Sequence, residues 1–214
     1  MKNKENLLNV IIEEAMRQFF SKGYKNLNIN ELTNEIGISK ATFYKYIPSK
    51  ELLFEECIRR YLDAFKKEIS KFIKQILKSD KDSFFHFFFE LIKKSNEFFE
   101  TISNVVTTQV EKRFPQINLK LKDFTKKQIE NAFFSIINKG REINLIKNEI
   151  NDKILYFIIY TTLTNLRQFI DINKGNISVR VFFYEYFRIL FDGILINQNK
   201  NYVLEKIKEF NYEK

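Results

Sequence analysis

Residues 28–51 read NINELTNEIGISKATFYKYIPSKE, and this stretch decides the fold of the chain. Asn28 followed three residues later by Glu31 forms a capping box, in which the Asn side chain accepts from one free backbone N–H and the Glu reaches back to another. A short helix is therefore predicted to begin near Ile29. Gly37 is placed to end it in the left-handed conformation.

A second short helix is predicted after this glycine. Ser39 is its expected N-cap, and Ala41 and Phe43 are expected to turn inward. Two short helices joined by a glycine turn form a helix-turn-helix, whose second helix fits the major groove of DNA.

The segment between Gly37 and Ser49 contains no acidic residue. Lysines and short hydroxyl donors are the groups that contact a phosphate backbone, and counterion release favours each such contact at low salt. For any one of these residues taken alone, an ordinary solvated basic face with packed tyrosines is the better interpretation. The capping box, the glycine turn and the acid-free helix together favour DNA. The residues concerned are Lys40, Thr42, Tyr44, Lys45 and Tyr46, followed at once by Lys50.

The N-terminal quarter of the chain resembles the TetR family of bacterial transcriptional repressors over roughly residues 8 to 54. Five positions depart from the usual family pattern, Leu27, Asn28, Thr33, Ala41 and Ile47. Asn28 and Lys45 are expected to affect which operator is recognised. The residues that carry the resemblance are Ile11, Ile12, Ala15, Phe19, Gly23, Tyr24, Ile29, Leu32, Gly37, Ile38, Ser39, Thr42, Phe43, Tyr44, Tyr46, Ser49, Lys50 and Glu51.

The resemblance implies a dimeric repressor that binds a near-palindromic operator in double-stranded DNA. Lys40, Thr42 and Lys45 are expected nearest the base edges, with phosphate contacts from Asn28, Tyr44, Tyr46 and Lys50. The full expected set of DNA-contacting residues is Asn28, Lys40, Ala41, Thr42, Tyr44, Lys45, Tyr46 and Lys50.

Composition restricts the function further. The 214 residues carry a formal net charge of +9, which favours anionic partners. With one His and one Cys, and no glycine-rich phosphate loop, most nucleophilic, metal and nucleotide mechanisms lack the residues they need, so we expect no enzyme, no cofactor and no metal.

Cys57 is expected to be a small buried hydrophobe in a reducing compartment. Glu13 and Glu14 interrupt the N-terminal apolar pattern, and no membrane-spanning run occurs, so a cytoplasmic protein is predicted.

Few glycines and prolines, together with apolar residues at spacings of three and four, predict an all-α protein. We expect a three-helix DNA-binding domain at residues 1–48, and a helical ligand-binding and dimerisation domain at residues 49–214 that a long helix joins to it. The connection at 141–151 is expected to be polar. The helices predicted outside the helix-turn-helix are Lys4–Lys22, Ser49–Leu77, Asp80–Phe99, Thr101–Arg113, Leu119–Lys139 ended by Gly140, Asp152–Ile172 and Ile177–Asn197.

Residues 80–99 are unusually rich in phenylalanine, and their periodicity turns the rings to one side and His86 to the other. The rings are expected either to fill the core or to line a cavity for an apolar or aromatic small ligand. Asn104 and Thr108 either point into such a cavity or face solvent. The expected pocket residues are Phe88, Asn104, Thr108, Phe134 and Tyr160.

The last two long helices, 152–172 and 177–197, are apolar on more than one face, which predicts a homodimer through a four-helix bundle. Interior helices of a monomer would also explain this pattern. Gly193 is expected where another backbone approaches. The predicted function is a repressor released from its operator by a largely apolar ligand. The alternative is a DNA-binding adaptor or structural protein whose second domain binds a protein partner and no small ligand.

Overall fold

The computed structural model describes residues 2–105, 112–172, 177–196 and 205. Within these ranges the chain is helical and contains no β-strand, apart from an isolated antiparallel bridge between Ile146 and Leu195. The predicted all-α fold is confirmed. The helices are α1 (Lys2–Asn26), α2 (Ile29–Glu35), α3 (Lys40–Tyr46), α4 (Lys50–Lys78), α5 (Lys81–Val105), α6 (Pro115–Glu142), α7 (Asp152–Ile172) and α8 (Val179–Ile194).

Three differences between the helices and their predicted bounds have a clear physical reason. The sequence predicts a break near residue 100, but α5 continues from Lys81 to Val105. No Gly or Pro interrupts this stretch, and the hydroxyl of Thr101 donates to the carbonyl of Glu97 at 2.8 Å, so the threonine is accommodated inside the helix. The part of the predicted second helix at 106–111 lies outside the described residues.

The second difference is at Gly140, which lies inside α6 and does not end it. A β-carbon at Gly140 would lie 2.5 Å from Cδ1 of Ile146, so the glycine is needed for close packing. The helix ends two residues later, and Asn144 then adopts a positive φ of 54°. α6 also begins earlier than predicted, at Pro115, whose fixed φ suits the first helical position.

The connection after α6, which was predicted to be polar, contains two buried apolar residues. Leu145 and Ile146 are 2% and 3% exposed. The carbonyl of Leu145 accepts from the N–H of Ile196 at 3.1 Å, and the N–H of Lys147 donates to the carbonyl of Ile194 at 3.0 Å. These bonds tie the connection to the end of α8.

Packing divides the chain into two compact units. The first consists of Met1–Glu68 and Glu97–Phe124, and the second of Ile69–Asn96 and Thr125–Lys214. The helices α4, α5 and α6 each contribute residues to both units. The domain division at residue 48 stays a prediction.

The core of the first unit is built on aromatic and aliphatic side chains from each of its helices. Phe65 and Phe98 stack with ring centroids 3.9 Å apart, which joins α4 to the end of α5. In α1 a stripe of apolar side chains from Ile11 to Phe19 faces the core. The fully buried residues of α1 to α4 include Ile11, Ile12, Ala15, Phe19, Leu32, Phe43, Leu53, Phe54 and Cys57.

In the second unit the phenylalanine-rich part of α5 is core. Phe88 is 6% exposed and lies edge-on to Phe187 and Phe191 of α8, at centroid distances of 5.3 and 5.4 Å. His86 is exposed, as its helical position predicts. Among the described helices, none combines the length and apolarity needed to cross a bilayer.

Candidate nucleic-acid interface

The helix-turn-helix begins at an asparagine cap. Asn28 has an extended backbone, and its Oδ1 accepts from the N–H of Asn30 at 2.8 Å. This bond satisfies one of the free donors at the start of α2. The carboxylate of Glu31 lies 3.7 Å from Nζ of Lys22. Of the two contacts in the predicted capping box, the structure therefore shows the one made by Asn28.

The turn between α2 and α3 depends on Gly37, which has a φ of +71°. The N–H of Ile38 donates to the carbonyl of Thr33 at 3.0 Å, which closes the end of α2 in the Schellman pattern. A side chain at this left-handed position would be strained, so the predicted role of Gly37 is confirmed.

The second helix, α3, is fixed by one cap and one anchor. Oγ of Ser39 accepts from the N–H of Thr42 at 3.0 Å, and the Phe43 ring is fully buried. Ala41 is exposed, so the expectation that it turns inward is wrong. Positions two apart on a helix differ by about 200°, so Ala41 cannot face the core beside Phe43.

The outer face of α3 carries cations and hydroxyls. Lys40, Ala41, Tyr44 and Lys45 are exposed, and at about 100° per residue they cover an arc of about 140°. The helix contains no carboxylate. Such a face can bind a phosphate backbone and reach base edges. The predicted contacts Thr42 and Tyr46 are partly exposed beside this arc.

Lys50 is placed differently from the other predicted contacts. Its Nζ donates to the carbonyl of Leu27 at 2.6 Å and to that of Lys25 at 3.4 Å, and it lies 4.7 Å from the centre of the Tyr24 ring. Burial lowers the pKa of Lys50. The ammonium group thus binds the turn before α2, an inward role that no sequence signal indicates.

Three residues beside Lys50 form a cluster to which the sequence assigns no site role. The hydroxyl of Tyr24 donates to Oε1 of Glu51 at 3.0 Å, and Nη2 of Arg113 donates to the same oxygen at 2.6 Å. Burial, and then Glu51, raise the pKa of Tyr24 to about 12. Hydrogen bonds from backbone and then from Tyr24 lower the pKa of Glu51. Arg113 lies 62 positions from Glu51, and no local pattern could have paired them.

The only cysteine is structural. Cys57 is fully buried, and its thiol lies 3.8 Å from the carbonyl of Ile12. Burial raises its pKa to about 12, which keeps it in the unreactive thiol form. Within the part of the chain that the structure describes, no group of His, Cys, Asp or Glu side chains could hold a metal ion.

Residues 11–57 match the family described as "Bacterial regulatory proteins, tetR family". The chain carries a TetR-family DNA-binding domain. This match covers most of α1, all of α2 and α3, and the start of α4, and so includes the cap, the turn and the exposed basic face. The resemblance to the TetR family of DNA-binding transcriptional regulators is therefore confirmed. Regulators of this family are not enzymes, in agreement with the sequence-based expectation.

A curated relative agrees with the TetR-family assignment. The uncharacterized HTH-type transcriptional regulator YuxN of Bacillus subtilis (strain 168) is 44% identical over 63 residues, which is 29% of this chain. The match spans 21% of that relative's length, so the chain matches about a fifth of this relative.

Solved structures extend the likeness in fold to the rest of the chain. A transcriptional regulator from Cytophaga hutchinsonii ATCC 33406 superposes with a TM-score of 0.59 at 18% identity, over 95% of this chain and 94% of that one. A TetR-family regulator from Marinobacter aquaeolei VT8 gives a TM-score of 0.60 at 16% identity, over 98% and 99% of the two chains. At such identities the likeness shows a common fold.

The structure brings together some of the residues predicted for a ligand pocket. Phe134 and Tyr160 both stack on Tyr156, at centroid distances of 6.0 and 5.6 Å. Phe88 packs instead on α8 in the core. The side chain of Asn104 and all of Thr108 lie outside the described residues.

Proposed function

We propose that this protein is a dimeric repressor that binds a near-palindromic DNA operator and is released by a largely apolar small ligand. The observation that carries the proposal is the exposed, acid-free face of α3, held outward by the Phe43 anchor and the Ser39 cap. Lys40, Thr42 and Lys45 are assigned to the base edges.

Phosphate contacts are assigned to the residues around this face. Tyr44 is 47% exposed, and Tyr46 is partly exposed at the end of α3. Asn28 is exposed at the start of α2, and its amide NH₂ remains a donor while Oδ1 caps the helix. Ala41 lies on the same face and suits a thymine methyl group. Lys50 contributes to binding a phosphate only if it leaves the Leu27 carbonyl.

The dimer is assigned to α7 and α8 because both expose large apolar side chains. Phe157 and Ile154 of α7 are 66% and 61% exposed, and Ile189 of α8 is 68% exposed. Apolar side chains at this density indicate a face that another protein surface covers. An isologous contact between two copies would use the same helices of each copy. Two DNA-binding domains, here called heads (residues 1–48 of each copy), are then related by a two-fold axis and require an operator with two half-sites.

The effector is proposed to be aromatic or largely apolar. The stacked rings of Phe134, Tyr156 and Tyr160 offer flat apolar surface. The Tyr156 hydroxyl oxygen is buried, and it has no hydrogen-bond partner among the described residues. An effector with one polar group would satisfy it. If the effector binds one arrangement of the two heads more tightly than the other by a few kcal/mol, that difference suffices to release the protein from DNA. A regulator of chromosomal DNA in a bacterium works in the cytoplasm, and this location is part of the proposal.

The experiment is a selection from random duplex DNA at two salt concentrations, followed by sequencing. We expect an enriched inverted repeat that is lost in the double variant Lys40→Ala with Thr42→Ala. Lys74→Ala is the matched control, since it removes the same charge from an exposed site on α4. If no sequence is enriched and all binding disappears when salt is added, the head binds DNA through charge alone. The DNA-binding adaptor then replaces the repressor as the proposed function.

The dimer is tested by sedimentation equilibrium. Phe157→Glu would place a charge in the proposed interface and is expected to give monomers. Leu77→Glu, at a 47% exposed position of α4, is the matched control and is expected to leave the dimer intact. Equal effects of both variants would refute the assignment of the interface.

A further inference from the structure

Three separate segments of the first unit meet at one carboxylate. Glu51 lies in the first turn of α4, Tyr24 lies at the end of α1, and Arg113 immediately precedes Phe114 and α6. Oε1 of Glu51 accepts from the Tyr24 hydroxyl at 3.0 Å and from Arg113 at 2.6 Å. The Arg113 guanidinium also lies 5.5 Å from the centre of the Tyr24 ring.

Further contacts join the segment around Arg113 to α4. The ring of Phe114 lies 5.0 Å from that of Tyr24 and 5.6 Å from that of Phe54, which is fully buried. One turn beyond Glu51, the carboxylate of Glu55 lies 3.8 Å from Nζ of Lys120. Residues 112–121 are therefore held against the start of α4 by two ion pairs with an aromatic contact beside them.

The same turn of α4 also holds the helix-turn-helix. Lys50, next to Glu51, binds the carbonyl of Leu27, one residue before the cap of α2. Glu51 follows Tyr46, the last residue of α3, by five positions. A displacement of Glu51 would therefore move Lys50, which holds the turn before α2, and the short segment that follows α3.

The charges around Tyr24 explain why Glu51 matters for this arrangement. The cations of Lys50 and Arg113 lie 4.7 and 5.5 Å from the ring centre, and Glu51 supplies a carboxylate to the cluster. Without that carboxylate, the two cations would repel each other, and Arg113 would lose its anionic partner. The pair is thus one of the contacts that hold residues 112–121 against the start of α4.

We propose that Glu51 and Arg113 are positioning residues, and that their ion pair holds residues 112–121 on the head in the arrangement in which α3 binds its operator. Neither residue is assigned a contact with DNA. The proposal rests on the proposed DNA-binding function. Because α6 continues past Phe124 into the second unit, the pair lies where the chain itself connects the head to the rest of the protein.

The test compares the operator affinities of Glu51→Gln, Arg113→Gln and the double variant in the full-length protein. Glu51→Gln raises the net charge by one and Arg113→Gln lowers it by one, so a purely electrostatic effect on DNA binding would have opposite signs. The proposal predicts that both single variants lower sequence-specific affinity by roughly three- to tenfold, since a surface ion pair with charge-assisted hydrogen bonds contributes about that factor. The double variant should be no weaker than either single one.

Arg59→Gln is the matched control. It removes the same charge and breaks the pairs of Arg59 with Glu56 and Asp63, all within α4. We expect it to leave operator affinity unchanged, whereas Arg113→Lys, which can still pair with Glu51, should restore most of the affinity lost in Arg113→Gln. Opposite signs for the single variants, additive losses in the double variant, or an equal loss in the control would overturn the proposal.

The two proposals can fail separately. If the wild-type protein enriches no sequence, the proposed function fails, and the pair is then tested by amide hydrogen exchange at residues 24–28. Faster exchange there in Arg113→Gln, but not in Arg59→Gln, supports the positioning role. Unchanged exchange overturns it.

Discussion

Replacing Gly140 with alanine tests whether this glycine is required for packing inside α6. A β-carbon there would lie 2.5 Å from Cδ1 and 2.8 Å from Cγ1 of Ile146, which is 3% exposed and cannot swing into solvent without losing its burial. Forcing an additional methyl group into a packed site costs about 1–3 kcal/mol. Alanine gains about 1 kcal/mol over glycine in a helix interior. The net expectation is a loss of about 1 kcal/mol of unfolding free energy.

Ile146→Ala provides the second background for this prediction. It removes Cγ1 and Cδ1 and leaves only Cβ, 3.5 Å from the new methyl group, which is an ordinary contact. Gly140→Ala should then stabilise by about 1 kcal/mol, so the sign of its effect reverses. Urea unfolding followed by far-UV circular dichroism at one protein concentration measures both effects. Stabilisation by Gly140→Ala of the same size in the two backgrounds would show that the contact imposes no constraint.

Three further predictions concern charge and association. Hydrogen bonding to Arg17 holds the pKa of Glu14 at about 2, below its ordinary 4.5. The ionised Glu14 therefore stabilises the fold above pH 4.5, and this contribution is lost as the pH falls towards 2. The free energy of unfolding, measured across acid pH, should show this loss, and the loss should be smaller in Glu14→Gln. Gly193→Ala should weaken dimers in sedimentation equilibrium, although no atom of the described residues would lie within 4 Å of the added β-carbon. In DNA titrations across salt and across operator variants, Lys50→Gln should leave the salt slope unchanged, whereas Lys45→Gln should relax the sequence preference at the base that Lys45 contacts.

Features fixed by neighbouring residues could be predicted from the sequence. The caps Asn28 and Ser39 and the left-handed Gly37 act within a few residues, and the structure has them where the sequence indicates. The bounds of α7 were likewise predicted, because Asp152 and the apolar period mark them locally. These features also locate the candidate DNA-binding face.

Features that depend on distant residues could not be predicted. Gly140 has the sequence context of a helix end, but its role comes from Ile146 packing against it. Periodicity places Phe88 on the apolar side of α5, yet it cannot distinguish core from cavity, since that depends on the rings of α8 that cover it. The pairing of Glu51 with Arg113 is likewise a product of tertiary structure.

Lys50 shows that a matching motif position does not determine what a side chain binds. Its ammonium already donates to the Leu27 carbonyl at 2.6 Å, and a hydrogen bond from a charged donor contributes about 1.5–3 kcal/mol. A phosphate contact would have to replace that contribution, and the Leu27 carbonyl, in a buried residue, would lose its charged donor. Exposed lysines such as Lys40 and Lys45 have no comparable bond among the described contacts to give up. The energetic balance therefore favours Lys50 as an internal support for the turn before α2, with the lysines of α3 making the contacts to DNA.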